Sequence, residues 1–170
     1  MKRTKFYFLI LLSIIFVTSC GYSMRGNELI NTKFEALVVN FSQPNNELSR
    51  ILRRNLAAAG VIIEVENNVS VENQNNSPQL IIGNENINTR PITINPRARA
   101  AQYEIRLSVE IELREGERVR IEPEILFVER TYFEDIENIA GNREEVQIIT
   151  AEMRQNLVTQ LMRRLESSTN

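Results

Sequence analysis

Three kinds of side chain in this 170-residue sequence have the chemistry for a site: a lone thiol, several acid pairs and a set of arginines. Cys20 is the only Cys, and there is no His. Without imidazole there is no Cys-His dyad, no Ser-His-Asp triad and no His metal ligand. One Cys builds neither an internal disulfide nor a Cys-rich zinc site. The acid pairs are Glu110/Glu112, Glu122/Glu124, Glu134/Asp135 and Glu144/Glu145. Two carboxylates are the machinery of a glycoside hydrolase. Glu110 and Glu112, however, alternate with apolar residues, which places them on the polar face of a strand where Arg106 and Arg114 neutralise them. The six glycines are scattered, so no Gly-rich loop cradles a phosphate. These absences read against an enzyme, a cofactor and a metal. A formal charge of −2 gives no basic footprint for nucleic acid.

The arginines carry the positive chemistry. Arg90, Arg97 and Arg99 cluster in and around Pro91 to Arg99, and Arg97 and Arg99 are flanked by Pro96, Ala98 and Ala100. A loop tip with two guanidinium groups has the geometry to grip phosphate; a solvated loop is the alternative. Arg130 falls in a predicted strand. Arg143 falls at the start of a predicted helix, where its charge opposes the helix dipole. That placement points to an outside anion or a nearby carboxylate.

The N-terminus explains the thiol. Lys2, Arg3 and Lys5 precede an apolar run of 12 residues, Phe6 to Val17, and Thr18-Ser19 lead to Cys20. A basic start, an apolar centre and small residues before a cut are the parts of a secretory signal, here residues 1–19. The run is shorter than the roughly 20 residues that a transmembrane helix needs. Val17-Thr18-Ser19-Cys20 looks like a bacterial lipobox, in which the Cys becomes the first residue and is acylated. Several acyl chains on one residue attach firmly, because each buried methylene adds about 0.8 kcal/mol. Gly21, rather than Asp, follows the Cys; by resemblance to Gram-negative sorting this favours the outer membrane. Residues 20–170 carry 17 basic and 22 acidic side chains, a net −5, and 16 of the 17 are Arg. Arg pairs bidentately with carboxylate or phosphate, which suits protein contacts and phosphate recognition.

The elements that must position these groups follow from periodicity. Residues 20–33 read as a tether, and 34–170 as one domain. Phe34 to Ser42 is a strand, apolar on both faces at Leu37-Val38-Val39, hence central. Asn46 is a plausible N-cap for a helix over Glu47 to Ala59, with Leu48, Ile51, Leu52, Leu56 and Ala59 on one face and Gly60 closing it. Val61 to Glu66 is a second strand, and the strand–helix–strand order predicts a right-handed parallel crossover. Asn67 to Pro78 is a loop, Gln79 to Arg90 a weaker strand, and Pro91 to Arg99 a turn or long hairpin loop. Tyr103, Ile105, Leu107, Val109, Ile111 and Leu113 alternate strictly with polar residues and mark a strand with one buried face. Glu115-Gly116-Glu117 turns the chain into a partner strand, Arg118 to Phe133, which Pro123 confines to an edge or bulge. The last helix is predicted from an Asn142 cap, with Glu145 in a capping-box position, to about Leu165. Its stripe is Val146, Ile149, Met153, Leu157, Leu161 and Leu165. The fold class is α+β, two helices on one face of a four- to five-stranded mixed sheet.

These residues resemble the LPS-assembly lipoprotein family LptE of Gram-negative bacteria. The resemblance starts at Cys20-Gly21-Tyr22-Ser23-Met24-Arg25-Gly26 and continues at Leu48-Ser49-Arg50, Asn55-Leu56 and Gly60-Val61. It includes Ala101-Gln102-Tyr103-Glu104-Ile105 and Arg130-Thr131-Tyr132-Phe133, in order over essentially the whole mature chain. It implies an outer-membrane lipoprotein on the periplasmic side, held by lipid on Cys20. It implies a plug in the lumen of the β-barrel LptD, aiding barrel assembly and the placing of lipopolysaccharide in the outer leaflet. A polar sheet face suits the hydrated lumen of a large barrel. The family ties two basic residues to lipopolysaccharide. Those positions fall here on Pro96 and Asn142, with Arg97 and Arg143 as immediate neighbours. Arg97, Arg99 and Arg143 are therefore the expected lipopolysaccharide contacts. The competing expectation is a scaffold or pilotin-like lipoprotein serving another secretion barrel.

Overall fold

In the computed structural model, residues 33–64, 77–94, 100–135 and 137–168 are described. Cys20 with the signal and the tether up to residue 32, residues 65–76, and residues 95–99 with Arg97 and Arg99 lie outside the described residues.

The crossover forms as its sequence predicts. Strand β1 (Ala36–Phe41) runs parallel to β2 (Ile62–Glu64), with Leu37 opposite Ile63, and helix α1 (Glu47–Ala58) connects them. β1 pairs on its other side with β3 (Pro78–Ile82), also in parallel, so it is central. Leu37, Val38 and Val39 are all buried. Asn46 caps α1, its Oδ1 accepting from the Ser49 N–H at 2.8 Å. Gly60 follows at φ 81°, a left-handed conformation that costs glycine little.

The sheet is organised by two 16-residue strands, β5 (Ala100–Glu115) and β6 (Arg118–Phe133). One edge of β5 pairs with β6. The other is shared: β3 takes Ile111 to Glu115, and β4 (Asn86–Ile94) takes Ala100 to Ser108. β3 and β4 thus read as one long strand interrupted at residues 83–85. Within the break the Gly83 N–H still donates to the Glu110 carbonyl at 2.8 Å. A Cβ on Gly83 would lie 3.2 Å from the Glu110 Cβ, so the approach favours glycine.

Helices α1 and α2 (Ile139–Ser167) cover one face. Their apolar stripes meet Leu80, Ile82, Ile105 to Leu113 of β5, Ile121 and Val128 in one core. On α2, Met153, Leu157, Leu161 and Leu165 are at most 1% exposed. The fold is the predicted α+β arrangement, with a sixth strand because the expected single strand over Gln79 to Arg90 is two.

Three expectations are corrected. Pro91 to Ile94 is not turn: it continues β4, an edge strand that tolerates a proline. Pro78, assigned to the preceding loop, opens β3 opposite Glu115. The last helix begins four residues earlier than expected, capped by Asn138 rather than Asn142; the Asn138 Oδ1 accepts from the Gly141 N–H at 3.0 Å. A Cβ at Gly141 would meet the Asn138 amide, so any larger residue there would displace the capping side chain.

Candidate functional site

The helix-covered core does not reach the far end of the sheet. There β4 and the facing parts of β5 and β6 form a three-stranded antiparallel extension, and all of β4 is exposed. The early turns of α2 run beside this extension, exposed or half-buried as far as Ile149. Between β6 and α2 lies an open groove of about 400 Å³, lined by Tyr132, Glu134, Ile139, Asn142, Arg143, Val146 and Gln147.

Each wall has a local cause. Alternation on β5 and β6 sends Tyr103 and Tyr132 to the helix side, directly opposite each other. Their rings stack, centroids 5.4 Å apart at 15°. Glu134 follows β6 at once and accepts a hydrogen bond from the Tyr103 side chain, which raises the Tyr103 pKa. Tyr132 is also raised, first by desolvation and then by the charges of Glu134 and Glu145. Asn142 does not cap the helix. It ties α2 back to the connection instead: its Oδ1 accepts from the Asp135 N–H at 3.1 Å and its Nδ2 donates to the Asp135 carbonyl. These two hydrogen bonds fasten the first turns of α2 to the connection that follows β6.

Arg143 lies on this lining, one full turn past the cap. Arg130 lies on the same strand and face as Tyr132, opposite Ile105. Neither guanidinium has a carboxylate within ion-pair distance among the described residues, whereas Arg90, Arg106, Arg114, Arg120, Arg154 and Arg164 all do. A groove with two stacked phenols beside it, an amide-bearing wall, apolar Ile139 and Val146 and one unneutralised Arg has groups for an amphiphile: anion, hydroxyls and alkyl surface. Among the described residues no group of three or more His, Cys, Asp or Glu side chains is placed to hold a metal.

Two of the acid pairs have a member engaged by an arginine. Glu112 is ion-paired along its own strand to Arg114, and Arg106 pairs across to Glu129 at 3.3 Å. Glu124 reaches Arg164 of α2. Of the expected site residues, then, Arg143 is on the groove, and Arg97 and Arg99 lie outside the described residues. Tyr132, Gln147 and the apolar lining were not anticipated. Counting back from the tight turn would set Tyr103 opposite Arg130. Two register shifts, between Ile111 and Leu113 and between Leu113 and Arg114, move it opposite Tyr132.

Comparison with known proteins agrees with this architecture. Among solved structures, rare lipoprotein B from Shewanella oneidensis superposes with a TM-score of 0.69 at 20% identity, covering 78% of this chain and 95% of that one. A minor lipoprotein from Acinetobacter baumannii gives 0.60 at 17% identity, covering 79% and 92%. By sequence, LPS-assembly lipoprotein LptE of Pectobacterium atrosepticum is 25% identical over 166 residues, 97% of this chain and 86% of the relative. Its Yersinia enterocolitica counterpart is 25% identical over 155 residues, 91% and 72%. The model of the lipopolysaccharide-assembly family matches residues 34–165, from before β1 to near the end of α2, and the chain therefore belongs to the LptE family.

Proposed function

We propose that this chain is a non-catalytic lipopolysaccharide-assembly lipoprotein. Cys20 carries the acyl anchor, the protein sits on the periplasmic side of the outer membrane, and its folded part plugs an LptD-like β-barrel that it helps to assemble. It contacts lipopolysaccharide through Arg97, Arg99 and Arg143. The observation that carries this reading is the family match over residues 34–165, which spans every described strand, helix α1 and nearly all of α2. The groove supports the binding step, because Arg143 is unneutralised there beside apolar and hydroxyl-bearing side chains. Phosphates of lipid A are anions that a guanidinium holds bidentately, each such bond contributing about 1.5–3 kcal/mol.

Three measurements test it. The full chain, captured in mild detergent after crosslinking in the native membrane, should bring down a large barrel protein; recovery of a secretin-type barrel alone would favour the pilotin-like alternative. Purified Arg97→Ala/Arg99→Ala/Arg143→Ala protein should bind lipopolysaccharide at least about tenfold more weakly. Unchanged affinity across salt concentrations would remove the arginines from the binding role. Cys20→Ser should abolish incorporation of labelled palmitate.

A further inference from the structure

The groove between β6 and α2 carries different chemistry on its two walls. On α2, Ile139, Arg143 and Gln147 recur at four-residue spacing, which sets a guanidinium and an amide about 6 Å apart along one wall. The Asn142 amide is committed to Asp135. Arg143 and Gln147 have no hydrogen-bond or ion-pair partner among the described residues. The opposite wall is the end of β6. There Tyr132 gives one ring face to Tyr103, with centroids 5.4 Å apart. Among the described residues β6 pairs with β5 alone, so no strand stands beyond the other face. Tyr132 lines the groove and Tyr103 does not, which turns that second face into the groove. Glu134 accepts from the Tyr103 side chain and keeps the rest of its acceptor capacity for the groove.

These groups select among ligands. A free phosphate needs donors only, and Glu134 would repel it. An alkyl chain needs a closed apolar slot; this groove is open, and besides the ring its described apolar lining is Ile139 and Val146. A sugar ring presents hydroxyls that both donate and accept, and a C–H face of partial positive charge. An aromatic face, a carboxylate and an amide complement it. We propose that the groove is a saccharide subsite for a phosphate-bearing sugar of lipopolysaccharide. The pyranose ring lies on the free face of Tyr132, Glu134 and Gln147 take its hydroxyls from opposite walls, and Arg143 takes the phosphate. Glu134 repels the anion from its own wall, so the phosphate turns toward α2 and the ligand enters in one direction. The acyl chains then lie outside the groove. The subsite rests on the lipopolysaccharide reading and adds to it the contacts to ring and hydroxyls.

Competition against labelled lipopolysaccharide, on the full chain in neutral detergent, tests it. The probe is the phosphorylated oligosaccharide left after complete deacylation of lipopolysaccharide. It should compete, and its dephosphorylated form should compete more weakly. Inorganic phosphate and laurate at the same concentration should not. Tyr132→Leu should weaken the oligosaccharide about three- to tenfold, whereas Tyr132→Phe, which keeps the ring, should stay within about twofold. Gln147→Ala should weaken it about three- to tenfold. The chain has no Trp, so tyrosine fluorescence of the unsubstituted protein reports the ring even if a variant folds poorly. The oligosaccharide should change that emission and inorganic phosphate should not. If lipopolysaccharide binds while the oligosaccharide neither competes nor changes the emission, the subsite is overturned and the lipopolysaccharide reading stands. If lipopolysaccharide itself does not bind, both fall. Equal competition by laurate, or an unchanged affinity of Tyr132→Leu and Gln147→Ala for the oligosaccharide, would also overturn the subsite.

Discussion

Glu85 should be the most sensitive charged position in the described structure. It sits in the break between β3 and β4, and its side chain is only 7% exposed. Oε1 accepts from Arg154 Nε of α2 at 2.8 Å, and Oε2 accepts from Asn46 Nδ2, the α1 cap, at 3.0 Å. One carboxylate thus joins the strand break to both helices. Exposed ion pairs contribute about 0.2–1 kcal/mol, whereas breaking a buried one by removing one partner costs about 3–5. Arg154 is 21% exposed, so the pair lies toward the buried limit without reaching it. Glu85→Ala should therefore cost about 2–4 kcal/mol, because it strands a largely desolvated guanidinium. Asn46 loses less: its Nδ2 keeps Gln43 Oε1 at 3.0 Å, and its cap bond to Ser49 is untouched. Urea unfolding of the full chain measures the change directly, and it corresponds to a fall of about 10 °C in Tm. Glu85→Gln keeps the acceptor and the volume and should cost about half as much. Glu85→Ala/Arg154→Ala should cost well below the sum of the single changes, with a coupling of about 1–3 kcal/mol. Arg50→Ala, at an exposed pair with Glu47, should stay within about 0.5 kcal/mol. A cost below about 0.5 kcal/mol for Glu85→Ala, or strict additivity with Arg154→Ala, would refute the reasoning.

Other perturbations test other parts of the structure. Leu157→Ala, at a fully buried position of α2, should cost about 2–5 kcal/mol in the same urea assay. Gly60→Ala should cost about 1–2 kcal/mol in thermal unfolding, because φ 81° is strained for any residue with a Cβ. Tyr103 and Tyr132 both have pKa values raised above 10, so their contribution to stability is complete below pH 10 and is lost as pH rises through the folded-state values. Glu134→Gln weakens the hydrogen bond that chiefly raises Tyr103 and removes a charge that adds to desolvation at Tyr132, so alkaline absorbance titration should show tyrosine ionisation beginning at lower pH; an unchanged curve would argue against the contact.

What could be read from the sequence followed from local rules. The alternation of β5, the stripe of α1 and the cap at Asn46 each depend on neighbours within one or two turns, and each formed as predicted. Errors arose where distant residues decide. Pro91 looks like a terminator, but an edge strand has a free side on which a missing N–H costs nothing. Asn138 and Asn142 are both capping residues by type; only the fold determines that one meets Gly141 and the other meets Asp135. Arg143 was singled out as a charge at the helix start, but α2 begins at Ile139 and carries Arg143 past its first turn, where the dipole no longer marks it. Its groove was not legible, because Tyr132 reaches that place only after two register shifts.

Packing is divided unevenly along the length of β5. Its last residues face a dense core: Ile105, Leu107, Val109, Ile111 and Leu113 are each at most 1% exposed, and α2 supplies Met153 to Leu165 above them. Its first residues face Tyr132, an exposed β4 and the turns of α2 that precede Thr150, where no residue is fully buried. Substitutions in that first part remove little buried apolar area, so they should leave the core intact. The groove, Arg143 and Arg130 all belong to this lightly packed end. The Glu85 hub lies at the boundary, joining the strand break to both helices. A carboxylate there joins the densely packed part of the sheet to its lightly packed end, so Glu85→Ala should loosen both helices while leaving the exposed extension beyond Ile105 unchanged.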